Sequence, residues 1–205
     1  MAIIGIDTAL KHCSIAILGD GINYEQCVPA PSNQAEILPQ MLSDALLKTG
    51  IKNSDIEKIA VTIGPGSFTG VRVGLAFAKG LAISLGSELL GINSFEAFVK
   101  QANAPKTICA INVAGSVFMA AKDGDNWILP PTRFEDFTTI NDYKGFTLVG
   151  HAIPKELGAS LDDFIHPLRL CEIAKNENQQ TRPPVPQYMR GADAVLWQGG
   201  KFAGH

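Results

Sequence analysis

Between a β-branched run, Ile59-Ala60-Val61-Thr62-Ile63, and an apolar stretch reaching Leu85 stands the segment Gly64-Pro65-Gly66-Ser67-Phe68-Thr69-Gly70-Val71-Arg72-Val73-Gly74. Gly64-Pro65 ends the strand, because proline lacks a ladder donor and fixes φ. Ser67 or Thr69 then offers an N-cap hydroxyl and Gly86 a C-cap, so the segment predicts a strand, a tight turn and a long helix in that order.

A glycine-rich turn opening onto a helix N-terminus suggests an anion site, since free backbone N–H groups and the positive end of the helix dipole gather there. The spacing does not support either common nucleotide loop. A Walker loop needs a Gly-Lys-Ser/Thr triplet, and no lysine stands in the turn. A dinucleotide fingerprint needs its third glycine one place earlier and an acidic residue at the end of the next strand, where this chain has Asn93. The helix carries another pattern. Gly70, Gly74, Ala78 and Ala82 recur every fourth residue and form one stripe without side-chain bulk, which permits close helix packing. Spacing alone leaves open whether that stripe meets the chain's own sheet or a helix of another subunit.

Bulk properties exclude several classes. With 205 residues and 46% hydrophobic content the chain can bury a sizeable core. A net charge of −3, with no run of Lys or Arg, is not that of a protein that grips nucleic acid alone. Cys13, Cys27, Cys109 and Cys171 form no Cys-x-x-Cys pair, and the N-terminus lacks a signal-peptide pattern, which places the expectation in a reducing cytosol. Arg72 and Lys79 interrupt the longest apolar run, so no membrane span is expected. His12, His151, His166 and His205 include no pair at helical ligand spacing, so no metal site of that kind is expected.

Strands are predicted at Ile3–Thr8, Ser14–Leu18 and Ile22–Val28, then a helix over Ser32–Lys48. Pro39 implies either a late start near Glu36 or a kink. A strand at 59–63, the turn, the long helix, a strand at 88–92 and a helix from Ser94 to about Ala102 follow. Near Pro105 the opening pattern returns: Ile108-Cys109-Ala110-Ile111-Asn112-Val113 followed by Ser116-Val117-Phe118-Met119 matches Ile3-Ile4-Gly5-Ile6-Asp7-Thr8 followed by Ser14-Ile15-Ala16-Ile17. Two similar hairpins imply two similar lobes, 1–104 and a smaller one over 105–205. The second holds a strand at Gly145–Val149, a helix from Pro167 to Lys175 and an extended strap over Arg182-Pro183-Pro184-Val185-Pro186. The tail after Asp193 lacks pattern and is expected to be disordered.

Such paired hairpins resemble the actin-like (ASKHA, ribonuclease H-like) superfamily, an α/β fold with duplicated lobes. Ile6-Asp7-Thr8, Ile37-Leu38-Pro39, the block from Gly64 to Gly74 with Ala78-Lys79-Gly80-Leu81, Val149-Gly150, Pro167-x-Arg169 and Pro186-x-Tyr188-x-Arg190 together are similar to the TsaB (YeaZ) family. That resemblance implies a non-catalytic subunit of the bacterial machinery that forms N6-threonylcarbamoyladenosine at position 37 of tRNA. The implied partners are a TsaD-type catalytic subunit and a TsaE-type ATPase, with tRNA reached only through the complex and a homodimer formed by the chain alone. It further implies no catalytic residues, and a partner interface built from Leu38, Pro39, Leu42, Gly66, Ser67, Phe68, Thr69, Gly70, Arg72, Val73, Gly74 and Ala78. No resident cofactor is implied. Asp7 and Thr8 retain the first phosphate-side hairpin, which leaves ATP or ADP at a site shared with partners as the one nucleotide role, and an ATP-binding kinase or ATPase as the competing reading. A peptidase would need a constellation that the motifs do not supply. Asn33 replaces the family's usual histidine, and Ile111–Phe118 lacks its charged pattern.

Overall fold

The computed structural model describes residues 1–158 and 163–188. Strands β1 (Ala2–Asp7), β2 (His12–Gly19) and β3 (Ile22–Pro29) form an antiparallel meander. Helix α1 (Gln34–Thr49) leads by way of a short 3-10 turn into β4 (Ile56–Gly64), which lies parallel to β1. Helix α2 (Phe68–Leu85) and β5 (Glu88–Asn93), parallel to β4, complete a five-stranded sheet of order β3-β2-β1-β4-β5. After α3 (Ser94–Ala102) the plan repeats. Strands β6 (Lys106–Val113), β7 (Ser116–Asp123), β8 (Asn126–Phe134) and β9 (Thr147–His151) make a second sheet of order β8-β7-β6-β9, with β9 parallel to β6. Its order reproduces the first four strands of the first sheet, so the fold is two-lobed and α/β, with a reduced second lobe.

Helix boundaries follow the local signals in most places. Ser67 caps α2, its hydroxyl accepting from the Gly70 N–H at 3.3 Å, while Gly50 and Gly86 end α1 and α2 in the left-handed conformation. Helix α1 does not start late near Glu36: it begins at Gln34 and carries Pro39 inside it, on an exposed position. The sequence reading names no strand at β8. Pro130 and Pro131 interrupt its pattern, and they are tolerated because β8 is an edge strand with only one neighbour to satisfy.

Alternation along the strands sorts the side chains into two cores. Ile4, Ile6, Ile15, Ile17 and Val61 face α1 and α2. Ile3, Ala16, Leu90 and Ile92 face the other way and meet Phe95 and Phe98 of α3, Leu170 and Cys171 of α4 (Pro167–Ala174), and Cys109, Ile111 and Phe118 of the second sheet. The lobes therefore share a core. Helix α4 follows the second sheet in sequence yet packs on β1, β2 and β4. Lys58 of β4 holds it there, its ammonium donating to the carbonyls of Ala174 (3.2 Å), Lys175 (3.2 Å) and Glu177 (2.6 Å) at the negative end of the helix. Lys58→Met should lower stability by about 1–2 kcal/mol, since charge-assisted bonds to three carbonyls are lost; thermal unfolding of the variant checks this.

The segment after α4 runs back along the first sheet as an extended strap. The Gly91 N–H donates to the Arg182 carbonyl (2.9 Å) and the Gln187 N–H to that of Ile63 (2.8 Å). Nη1 of Arg182 donates to both Glu96 carboxylate oxygens at 2.8 Å, and Nη2 donates to Glu177 at 3.3 Å. The expected disorder after Asp193 and the motif residue Arg190 lie outside the described residues.

Candidate functional site

The glycine turn rests on the loop that joins β1 and β2. The Ser67 N–H donates to the Ala9 carbonyl at 2.6 Å, and the Thr8 hydroxyl donates to the Gly70 carbonyl at 2.7 Å. Gly70 and Gly74 are required by this contact: a Cβ at Gly70 would overlap the Thr8 carbonyl oxygen, and one at Gly74 would overlap the Thr8 hydroxyl. With Ala78 and Ala82 they form the buried side of α2. This corrects the assignment of the small-residue stripe to a partner: Gly70, Gly74 and Ala78 meet the chain's own sheet. The helical period specified a common face, and the position of β1 decided what covers it. Leu38 and Leu42 are also buried, inside the α1 side of the core, and so leave the surface expected for them.

Other expected interface residues do reach the surface. Pro39, Phe68, Thr69 and Arg72 are exposed, while Gly66, Ser67 and Val73 are half-buried. Arg72 stands 3.7 Å above the Phe68 ring, and its Nε–H donates to the Tyr188 hydroxyl at 2.8 Å, so the strap is tied to the helix. Two residues missed by the motif reading stand out. Leu47 on α1 is 80% exposed and Ile83 on α2 is 85% exposed. Ile83 continues the line Arg72, Ala76, Lys79 at intervals of four, three and four residues, so a helical wheel drawn for the outward side would have found it. Helix α2 is 18 residues long with a mean hydropathy of 1.3, long and apolar enough to cross a bilayer; its apolar residues are divided between this outer side and the packed one.

Asp7 and Thr8, expected beside a nucleotide, lie beneath the turn with no exposed surface. The Asp7 carboxylate accepts from the Thr62 hydroxyl (2.6 Å) and the Ala9 N–H (3.1 Å), and its Oδ2 finds no partner among the described residues. Burial pushes the carboxyl up to about 6, against the opposing pull of these two donors and of His151. Three N–H groups of the turn and of the start of α2 are engaged internally. Ser67 N–H is taken by Ala9, Gly70 N–H by the Ser67 hydroxyl and Val71 N–H by the Ser67 carbonyl. The turn's polar groups thus serve the junction of β1 with α2. Among the described residues, no group of three or more His, Cys, Asp or Glu side chains is placed to hold a metal.

A family model described as "TsaD: tRNA N6-adenosine threonylcarbamoyltransferase" matches residues 27–126. The tRNA threonylcarbamoyladenosine biosynthesis protein TsaB of Escherichia coli (strain K12) is 33% identical over 133 residues, 61% of this chain and 56% of that protein. The tRNA N6-adenosine threonylcarbamoyltransferase of Chlorobium limicola is 31% identical over 177 residues, 79% of this chain and 48% of that protein. The chain spans about half the length of the curated relatives it matches. In fold it resembles a Pseudomonas aeruginosa protein described as similar to peptidase YEAZ, with a TM-score of 0.77 and 22% identity over 92% of this chain and 99% of that one. YeaZ from the same organism gives a TM-score of 0.74 at 21% identity, over 91% of this chain and 99% of that one. The chain is thus similar in sequence to TsaB and to TsaD-type proteins, and it shares the two-lobed α/β fold of the YeaZ structures.

Proposed function

We propose that the chain is the non-catalytic, partner-binding subunit of a cytosolic complex that forms N6-threonylcarbamoyladenosine at position 37 of tRNA, and that it docks a TsaD-type catalytic subunit through the outer side of α1 and α2. The observation that carries this reading is the exposure of Leu47 and Ile83 on those helices, together with Pro39, Phe68 and Arg72. Large apolar side chains left in water on adjacent helices are what a helix-to-helix interface covers. The internal use of Asp7 and Thr8 supports a binding role over phosphoryl transfer. On this reading the resident cofactor is none, and ATP or ADP belongs to a site completed by the partners, which include a TsaE-type ATPase. tRNA is held through the complex, and without partners the same face pairs with a second copy. The lobes 1–104 and 105–205 divide the work, the first carrying the interface.

The paired variant Leu47→Asp/Ile83→Asp tests it. Both positions are solvent-exposed, so unfolding should shift by less than about 0.5 kcal/mol per site. Co-purification with the TsaD-type subunit should be lost, and the modified nucleoside in tRNA, read by mass spectrometry, should fall at least about tenfold. Retention of both complex and modification would overturn the proposal.

A further inference from the structure

The dipeptide Asp-Gly occurs twice in the chain, at Asp20-Gly21 and at Asp123-Gly124. An aspartate carboxyl is least obstructed from the following amide nitrogen when that amide belongs to glycine, which carries no Cβ and turns freely. The duplication places the two copies alike, one where β2 turns into β3 and the other where β7 turns into β8. Their surroundings differ.

In the first lobe Asp20 and Gly21 are themselves the two turn residues, set between the paired Gly19 and Ile22. The Asp20 side chain is 98% exposed, and the N-terminal ammonium stands 3.9 Å from it, too far to hold the carboxylate firmly. The Gly21 N–H has no acceptor among the described residues. In the second lobe the dipeptide is displaced by one position, so Asp123 is the last residue of β7 and is paired with both Lys106 and Asn126. The Lys106 ammonium holds its carboxylate at 2.9 Å, and the Gly124 N–H donates to the Pro105 carbonyl at 2.7 Å. Both reacting groups are therefore restrained in Asp123-Gly124, and neither is in Asp20-Gly21.

We infer that Asp20-Gly21 is a site of spontaneous isoaspartate formation, from which the equivalent Asp123-Gly124 is protected by the fold. The Gly21 nitrogen attacks Cγ of Asp20 and forms an N–Cγ bond. The amide proton and the carboxyl hydroxyl leave together as water, which closes a cyclic imide. Water then adds back. Addition at Cγ restores aspartate, whereas addition at the former peptide carbonyl breaks that carbon's bond to nitrogen and routes the backbone through the side chain. The atoms of the chain are unchanged in number, and nothing is oxidised or reduced. The product carries an additional backbone methylene in the turn and a free α-carboxylate, the group that isoaspartyl-specific methyl transfer esterifies. The lengthened turn loosens the Gly19–Ile22 closure at the start of β3, an edge strand that pairs only with β2.

The test is prolonged incubation of the folded full chain in near-neutral buffer beside a denatured sample. Digestion and mass spectrometry with electron-transfer fragmentation then distinguish the two isomers at each position. In the folded chain isoaspartate is expected at position 20 at least about tenfold above position 123, since the restraints on Asp123-Gly124 must open before its ring can close. In the denatured chain the two positions should convert at similar rates. Asp20→Glu changes only an exposed side chain, and it should abolish both the signal at position 20 and most enzymatic methyl incorporation from S-adenosylmethionine, because the longer side chain closes its ring far more slowly. Absence of isoaspartate at position 20 in the folded chain, equal conversion at 20 and 123 there, or unchanged methyl incorporation in Asp20→Glu would each overturn the assignment. The reaction needs no partner, so its outcome is independent of docking to a TsaD-type subunit.

Discussion

Gly74→Leu is expected to destabilise the isolated chain by at least about 3 kcal/mol, leaving it largely insoluble or unfolded. Position 74 lies inside the fold, where even a Cβ would overlap the Thr8 hydroxyl and come within 3.4 Å of Val61. A leucine adds three more carbons against Thr8, which is hydrogen-bonded to Gly70, and against β4, which cannot retreat because it is paired on both sides with β1 and β5. The helix-propensity gain from replacing glycine is about 1 kcal/mol and does not offset the overlap. Urea unfolding of the single protein reads the effect without any partner. Loss of a TsaD-type subunit from pull-downs of this variant would therefore report unfolding, whereas the Leu47/Ile83 variant reports the surface. A Gly74→Leu protein that remained as stable as the parent would show that α2 does not sit on β1 as described.

Asp7→Asn should remove a pH dependence and raise stability under mildly alkaline conditions. The Asp7 carboxyl lies at about 6 in the folded chain against an ordinary 3.8. The folded state thus keeps its proton where the unfolded state has lost it. The stability associated with neutral Asp7 is complete below about pH 3.8 and is lost progressively as pH rises to about 6, a difference of roughly two units or about 3 kcal/mol. Asparagine keeps an acceptor for Thr62 and Ala9 and never carries the buried charge. Its amide nitrogen enters the place of the unpartnered Oδ2, which costs about 1–2 kcal/mol. A net gain of about 1–2 kcal/mol is therefore expected at pH 8, turning to a loss below pH 4. Denaturant titrations of both proteins across pH 4–8 measure this: the parent should lose stability relative to the variant between pH 4 and 6. Parallel curves would overturn the assignment.

Much of the architecture was legible because it is written in local chemistry. The Gly64-Pro65 stop, the Ser67 cap and Gly86 delimit β4 and α2 in the structure as the turn and capping signals require. The repeated hairpin predicted two lobes, and Asp7↔Ser14 in one sheet is answered by Asn112↔Val117 in the other. β8 escaped notice because its prolines are allowed only by its place at an edge, and strand order is not a local property. The candidate surface was read less well. Pro39, Phe68, Thr69 and Arg72 emerge on the outside, while Leu38, Leu42, Gly70, Gly74 and Ala78 turn inward, and the two most exposed apolar residues of α1 and α2 carried no motif.

By itself the sequence determined the order of the strands and helices apart from β8, the duplication and the small side chains at positions 70 and 74, because turn geometry, capping and steric demand act over a few residues. Only the tertiary structure decided which neighbour those glycines admit, that Asp7 is sealed beneath the turn, and that α4 and the strap return to the first lobe. A periodic pattern defines a face of a helix but not its partner. That choice depends on contacts between residues as far apart as Lys58 and Glu177, where burial and charge pairing are settled by the packed chain as a whole.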